Sequence, residues 1–287
     1  MKIFLFLIII FTSLNLFSQK VCLTESSRLA AEKENKSRKN TFYVYWGWNR
    51  GFYTNSDIHF QGRNYDFTLT DVIAKDRQSK FDFKTYFSPT KLTIPQYNFR
   101  LGYFLNDKYS ISIGADHMKY VMQNYNVVKI NGYIENSNTA YDGVYENEDI
   151  ELKDDFLKFE HTDGLNYENI ELRRHHEFFT KKNFNISLFE GAGIGVLVPR
   201  TNTTLLAYKR YDEFHLAGYG VGIVGGFNFE FFKYFFLQTE CKLGFIHMPD
   251  IRTTEFKTDK ASQHFFFSQF NGLFGARFKF GGKKVKN

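Results

Sequence analysis

The chain has 287 residues, with 37 Lys and Arg against 31 Asp and Glu, for a formal charge of +6. That excess is spread along the chain and forms no stripe, which excludes a nucleic-acid footprint and nucleic acid as a partner. Phe (35) and Tyr (18) are abundant while Pro (4) is scarce, a balance that favours long strands with aromatic belts over a loop-rich soluble fold.

Residues 1–19 read as a secretory signal: Lys2 precedes an unbroken apolar stretch from Ile3 to Phe11, and small or polar residues follow to Ser18. No later segment is apolar for long enough to cross a membrane as a helix. Residues 20–40 are polar and charge-rich, cannot bury a core of their own, and are expected to form a periplasmic tail. Cys22 lies behind Gln19, Lys20 and Val21, a spacing unsuited to lipid attachment. Its distance from Cys241 argues against a structural disulfide.

Residues 41–280 alternate with a period of two, the signature of strands with one apolar and one polar face. Eight runs are expected. The first, Thr41 to Tyr53, opposes Phe42, Val44, Trp46 and Trp48 to Tyr43, Tyr45, Gly47 and Asn49. The second (Gln96 to Phe104) and third (Tyr109 to Val121) form a hairpin over the turn Asn106-Asp107. The fourth, Leu165 to Phe179, breaks its pattern by placing Arg174 and His176 with Ile170, Leu172 and Phe178. The fifth (Phe184 to Val198), sixth (Leu216 to Phe231) and seventh (Phe235 to His247) oppose an apolar to a polar or glycine-rich face, and the eighth (His264 to Phe280) ends with Phe274, Ala276, Phe278 and Phe280 facing opposite to Leu273, Gly275, Arg277 and Lys279. One exception is Glu190, which falls on the apolar parity and predicts a bulge, a parity slip or burial against another element. Residues 281–287 are a short basic tail.

Connections are short after runs two, four and six and long after runs one, three, five and seven. This rhythm predicts a closed eight-stranded up-and-down antiparallel transmembrane β-barrel in the outer membrane of a Gram-negative cell, with short periplasmic turns and long extracellular loops. A soluble lipocalin-like barrel would share the period; the signal sequence, the alternating connections and the aromatics at strand ends favour the membrane. Apolar side chains then face lipid, while charged and small ones pack the lumen. The expected polar lumen residues are Arg100, Asp116, Glu230, Glu240, Lys242, Arg277 and Lys279, which pair across strands and plug the barrel. Glycines 191, 193, 195, 218, 220 and 222 leave volume for bulky residues of the opposite wall or for a ligand cavity. The loops Thr54 to Pro95 and Met122 to Gly164 contain alternating pieces, Asp66 to Leu69 and Val127 to Ile134, expected to prolong the strands as ordered hairpins. The acidic stretch Glu146 to Asp155 is a solvated turn or a binder of divalent cations.

The runs FYVYWGWNRGFY (Phe42 to Tyr53), LTIPQYNFRLGYF (Leu92 to Phe104), YSISIGADHMKYV (Tyr109 to Val121) and FEHTDGLNY (Phe159 to Tyr167) resemble an uncharacterised family of outer-membrane β-barrel proteins of Bacteroidota and related bacteria. The general format is similar to small OmpA/OmpX-type barrels. The resemblance implies fold and location and supplies no catalytic residues. In one departure, the aromatic that usually ends such chains for the barrel-assembly machinery is here Phe280, with seven residues after it.

Three acid and histidine groupings fall near expected extracellular strand ends: Asp57 with His59, Asp116 with His117, and Glu160-His161 with Asp163. A carboxylate orienting an imidazole is the arrangement a general base needs. Asp116, His117, His161 and Asp163 are therefore the candidates for a rim-located lipid- or lipopolysaccharide-modifying enzyme, although no His-x-Ser pairing accompanies them. His175-His176 point to opposite faces of a strand and cannot chelate one ion. No cofactor or metal is assigned. The expected role is structural or surface ligand binding, with rim enzyme and small-solute channel as alternatives. Outer-membrane lipid and lipopolysaccharide, the assembly machinery and a surface ligand of unidentified chemistry are the expected partners.

Overall fold

The computed structural model describes residues 37–279 apart from 81, 87, 89–94 and 233. The expected signal sequence, most of the expected polar tail and the basic C-terminal residues lie outside the described residues. The strands are β1 (Phe42–Tyr53), β2 (Ser56–Gln61), β3 (Tyr65–Val72), β4 (Ala74–Lys75), β5 (Tyr97–Phe104), β6 (Tyr109–Met122), β7 (Val127–Ile134), β8 (Gly143–Glu151), β9 (Leu157–Lys181), β10 (Phe184–Leu197), β11 (Asn202–Leu205), β12 (Gly218–Phe231), β13 (Phe235–Arg252) and β14 (Lys260–Phe278). A single helical turn, α1 (Phe83–Tyr86), follows β4.

Eight strands pair antiparallel in the order β1, β5, β6, β9, β10, β12, β13 and β14, and β14 pairs back with β1, closing a barrel. Side-by-side pairs starting at Phe42 pass through Tyr103, Ile111, Leu172, Ala192, Ile223, Leu243 and Ser268 and return to β1 at Phe52, a shear of ten residues. With about 3.3 Å per residue and 4.8 Å between strands, eight strands of this shear tilt by roughly 40° from the barrel axis. An interior of this size is filled by side chains.

The lower end carries the tight turns. There Asp107 accepts hydrogen bonds from Ser37 Oγ at 2.7 Å and the Arg38 amide at 2.8 Å, pinning the end of the polar tail to the β5–β6 turn. Aromatic side chains ring this end, with Phe42 on Tyr103 (4.8 Å between ring centres) and Phe184 on Phe231 (5.1 Å), and with Phe232, Tyr234 and Phe235 exposed below them. Above the ring the outer wall is apolar, with Leu101, Ile113, Ile170, Ile194, Val221 and Leu237 all exposed. Exposed apolar side chains covering a closed barrel are stable only against hydrocarbon, and closure leaves no unpaired strand edge there. Among the described residues no helix is long and apolar enough to cross a membrane.

At the upper end the wall continues as a folded head, and here the inside-outside pattern departs from expectation. The top of β14 pairs with β2, and the sheet runs on through β3 and β7 to β8; on the other side β4 joins β6 and β11 joins β9. These strands enclose an apolar core containing Phe60, Phe67, Tyr120, Phe156, Phe159, Met248 and Phe265. Below Tyr167 charged and small residues share the interior with a buried cluster of Tyr43, Tyr45, Phe104, Phe236 and Leu273; above it the interior is mainly a hydrophobic core. The triplet Phe265-Phe266-Phe267 marks the transition, since Phe265 and Phe267 point inward while Phe266 remains outside. The free edge, β8, bears exposed Glu146, Glu148, Asp149 and Glu151, charges that disfavour edge-to-edge pairing.

The expected fourth run is the largest misjudgement of length: β9 spans 25 residues, beginning eight residues before Leu165 and ending at Lys181. Its lower register shifts opposite Ile186/Ser187, so the irregularity lies at Phe178. Glu190 keeps its outward parity, with neither a slip nor burial, and is balanced by His176 of the next strand, whose Nε2 lies 3.2 Å from its Oε1.

Candidate functional site

The barrel interior holds a buried network of six charges. Three cations, Arg100, Arg173 and Lys242, face three anions, Asp116, Glu171 and Glu240, all at most 3% exposed. Arg100 donates to Glu171 (2.9 Å), Asn169 (2.6 Å), Tyr45 Oη (2.9 Å) and Ser112 (3.2 Å). Arg173 donates to Glu171 and Glu240, both at 2.6 Å, and to Tyr45 Oη at 2.8 Å, with its guanidinium 4.9 Å from the centre of the Phe189 ring. Lys242 bridges Glu171 at 2.7 Å and Asp116. Glu240 also accepts from Tyr45 (3.0 Å), Gln238 (2.7 Å) and Asn271 (3.0 Å). The formal charges cancel and the polar atoms are densely paired, the condition under which ions tolerate burial.

Strand alternation and glycine placement build this network together. The long inner side chains of β9, namely Tyr167, Asn169, Glu171 and Arg173, lean sideways over β10 and β12, where glycines leave room. A Cβ at Gly193 would stand 2.6 Å from Glu171 Cγ, at Gly191 2.9 Å from Arg173 Cγ, and at Gly195 2.7 Å from Asn169 Cβ. These glycines thus serve the adjacent strand and not the opposite wall, and the volume they leave is occupied.

Of the expected lumen residues, Arg100, Asp116, Glu240 and Lys242 meet in this cluster. Glu230 and Arg277 form a separate ion pair near the turn end. Lys279 is exposed beyond the end of β14 and does not belong to the lumen, because the last strand stops at Phe278. Sequence reasoning missed Glu171 and Arg173, and it placed Tyr45 on the inner face without naming it in the polar set. The signal was present: if Arg174 and His176 share the outer face of the fourth run, then Glu171, Arg173 and His175 must share the inner one.

The candidate rim residues do not converge. Asp116 belongs to the lumen network, while its neighbour His117 lies on the other face, stacked on Tyr97 (4.9 Å, 13° between planes) with Nδ1 2.7 Å from Asn166 Oδ1. His161 is fully buried in the head, with Nδ1 2.9 Å from Thr201 Oγ1 and Nε2 3.3 Å from the Gln263 amide nitrogen. Burial pushes this imidazole down to about 3. Asp163 is exposed and lies 4.0 Å from Arg210. Glu160 faces Arg77 at 3.0 Å and accepts from Asn202 at 2.8 Å. Asp57 accepts from the Asp71 amide at 2.8 Å, and His59 pairs with Asp66 at 2.8 Å. Among Asp116, His117, His161 and Asp163 no carboxylate is hydrogen-bonded to an imidazole, the pairing a rim general base requires: a bulge between Met118/Tyr120 and the β9 strand turns Asp163 outward and His161 inward. Among the described residues no three His, Cys, Asp or Glu side chains form a metal-binding group.

No protein-family model matches the chain, and no curated protein matches it. Among solved structures it is similar to the outer membrane protein OprG from Pseudomonas aeruginosa, at 10% identity over 84% of this chain and 97% of that one, with a TM-score of 0.40. Neisserial surface protein A is similar at 12% identity, 83% and 97% coverage and a TM-score of 0.34. Ail of Yersinia pestis, solved with the heparin analogue sucrose octasulfate, is similar at 9% identity, 84% and 99% coverage and a TM-score of 0.32. Likenesses this distant carry no inference; the closed strand register itself establishes the barrel.

Proposed function

We propose that the protein is an exported outer-membrane barrel whose wall is a sealed anchor and whose folded head is the working part, presented at the cell surface for structural or ligand-binding contact. The observation that carries this reading is the stacking inside the barrel. A charge-balanced, hydrogen-bonded plug occupies the lumen at the level of the apolar outer wall, and a buried, mainly apolar core lies directly above it. An ion crossing the barrel would have to break the first and enter the second, each at a cost of several kcal/mol. This disfavours a small-solute channel, and the scattered rim acids and histidines disfavour a rim enzyme.

Lipid meets the apolar wall, lipopolysaccharide meets the base of the head, and the barrel-assembly machinery is the expected partner during biogenesis. The head suits display because its loops are tied into a continuous sheet instead of hanging as free segments. Membrane fractionation combined with heat-modifiable gel migration tests location and closure, with the expected result an outer-membrane band whose mobility changes on boiling. Planar bilayers should show no steps of conductance. A freely soluble mature protein would overturn the location, and reproducible single-channel currents would overturn the sealed lumen.

A further inference from the structure

The chain contains eight histidines, and six of them have a polar partner. His59 pairs with Asp66, His117 with Asn166, His161 with Thr201, His175 with Ser110, His176 with Glu190, and His215 with Asp250. The remaining two, His247 and His264, have no hydrogen-bond or ionic partner among the described residues. They are directly opposed across β13 and β14, both on the outer face, with ring centres 6.2 Å apart and planes at 49°. Their other ring contacts are aromatic: Tyr219 lies 5.4 Å from His247 and Phe245 5.9 Å from His264. His264 is exposed and His247 half-buried, at the upper edge of the apolar wall where the head begins.

We propose that His247 and His264 form a two-histidine site for a divalent late first-row transition ion, Zn²⁺ or Cu²⁺. Directly opposed residues of antiparallel strands hold their Cβ atoms about 4.5–5.5 Å apart, so both imidazoles reach a common point in front of the sheet. A metal–nitrogen distance of about 2.0–2.1 Å places each ring centre about 3.2 Å from the ion, so two rings stand about 5.2 Å apart around a tetrahedral ion and about 6.4 Å apart when trans. The observed 6.2 Å lies within that range, and rotation of two surface side chains completes the site without moving the backbone. Imidazole selects zinc and copper over magnesium and calcium, which prefer oxygen. The flanking Tyr219 and Phe245 rings limit the imidazoles' freedom, lowering the entropy lost on chelation. The remaining coordination positions stay open to water or to an external donor such as a phosphate at the membrane surface. The ion-binding argument is independent of the proposed display role, since it rests on strand register alone.

The test is calorimetric titration of the full mature chain, without a histidine tag, refolded in detergent micelles and confirmed as folded by heat-modifiable migration. Zn²⁺ should bind at a stoichiometry of one and Mg²⁺ should not. H247A, H264A and H264Q should each weaken Zn²⁺ binding at least tenfold, whereas H59A and H215A should leave it unchanged. With Cu²⁺, the electron spin resonance spectrum should show hyperfine coupling to two imidazole nitrogens, reduced to one in H264Q. Absence of saturable Zn²⁺ binding, or a loss that follows His59 or His215 instead, would overturn the site.

Discussion

Replacing Arg173 by Met should test whether the lumen plug behaves as a closed electrostatic unit. The guanidinium neutralises Glu171 and Glu240, each 2.6 Å away, and donates to Tyr45 Oη. Methionine restores much of the volume and keeps a soft contact with the Phe189 ring, so lost packing is a minor effect. The change converts a balanced set of three cations and three anions into one with a buried excess negative charge. Glu171 retains Arg100 and Lys242, at 2.9 Å and 2.7 Å, so the burden falls on Glu240, which keeps only neutral donors in direct contact. Removing one partner of a buried ion pair costs about 3–5 kcal/mol. With a urea dependence of about 1–3 kcal/mol per molar, the unfolding midpoint should fall by more than 1 M. The two tryptophans, Trp46 and Trp48, both on the outer side of β1, provide the fluorescence signal in phospholipid vesicles. The double variant R173M/E240Q removes the stranded charge as well and should recover most of the loss. A single variant within about 1 kcal/mol of the parent, or a double variant no better than the single, would refute the account of a charge-balanced plug.

Gly195→Ala should destabilise by about 1–3 kcal/mol in the same unfolding assay, because its Cβ would stand 2.1 Å from the Glu168 carbonyl oxygen. Gly272→Ala, whose Cβ meets nothing within 4 Å, should stay within about 0.5 kcal/mol. Ile113→Arg places a charge midway between Tyr109 and His117 on the exposed wall and should cost about 2–4 kcal/mol in vesicles, as for a residue facing hydrocarbon; a neutral effect would mean that the wall does not meet lipid. His161 gives a pH dependence. Its folded value is depressed to about 3 by burial, so below about 6.5 the unfolded chain takes up a proton that the folded chain refuses, and stability falls with pH through the window from 6.5 towards 3. Between pH 7 and pH 5 this contributes a loss of about 2 kcal/mol, which should be missing from His161→Gln when the pH dependence of the two proteins is compared by chemical denaturation.

The two-residue period and the rhythm of short and long connections were legible in the sequence because both are local: side chains of a strand alternate whatever the strand pairs with, and a tight turn needs only its own residues. Hence the eight wall strands, their apolar face, and Arg100, Asp116, Glu240 and Lys242 on the polar one could be read directly, as could the ordered pieces Asp66 to Leu69 and Val127 to Ile134. Which lumen charges meet was decided by the tertiary structure, since the ten-residue shear brings Arg173 of β9 onto Glu240 of β13, three strands away around the ring. Alternation alone separates Asp116 from His117, whereas His161 and Asp163, two apart and expected on one face, are separated by the bulge where β9 pairs with β6. The apolar centre of the head and the facing of His247 by His264 depend on strand register as well. Register is fixed by the sum of contacts around the closed sheet, and no short stretch of sequence carries that sum.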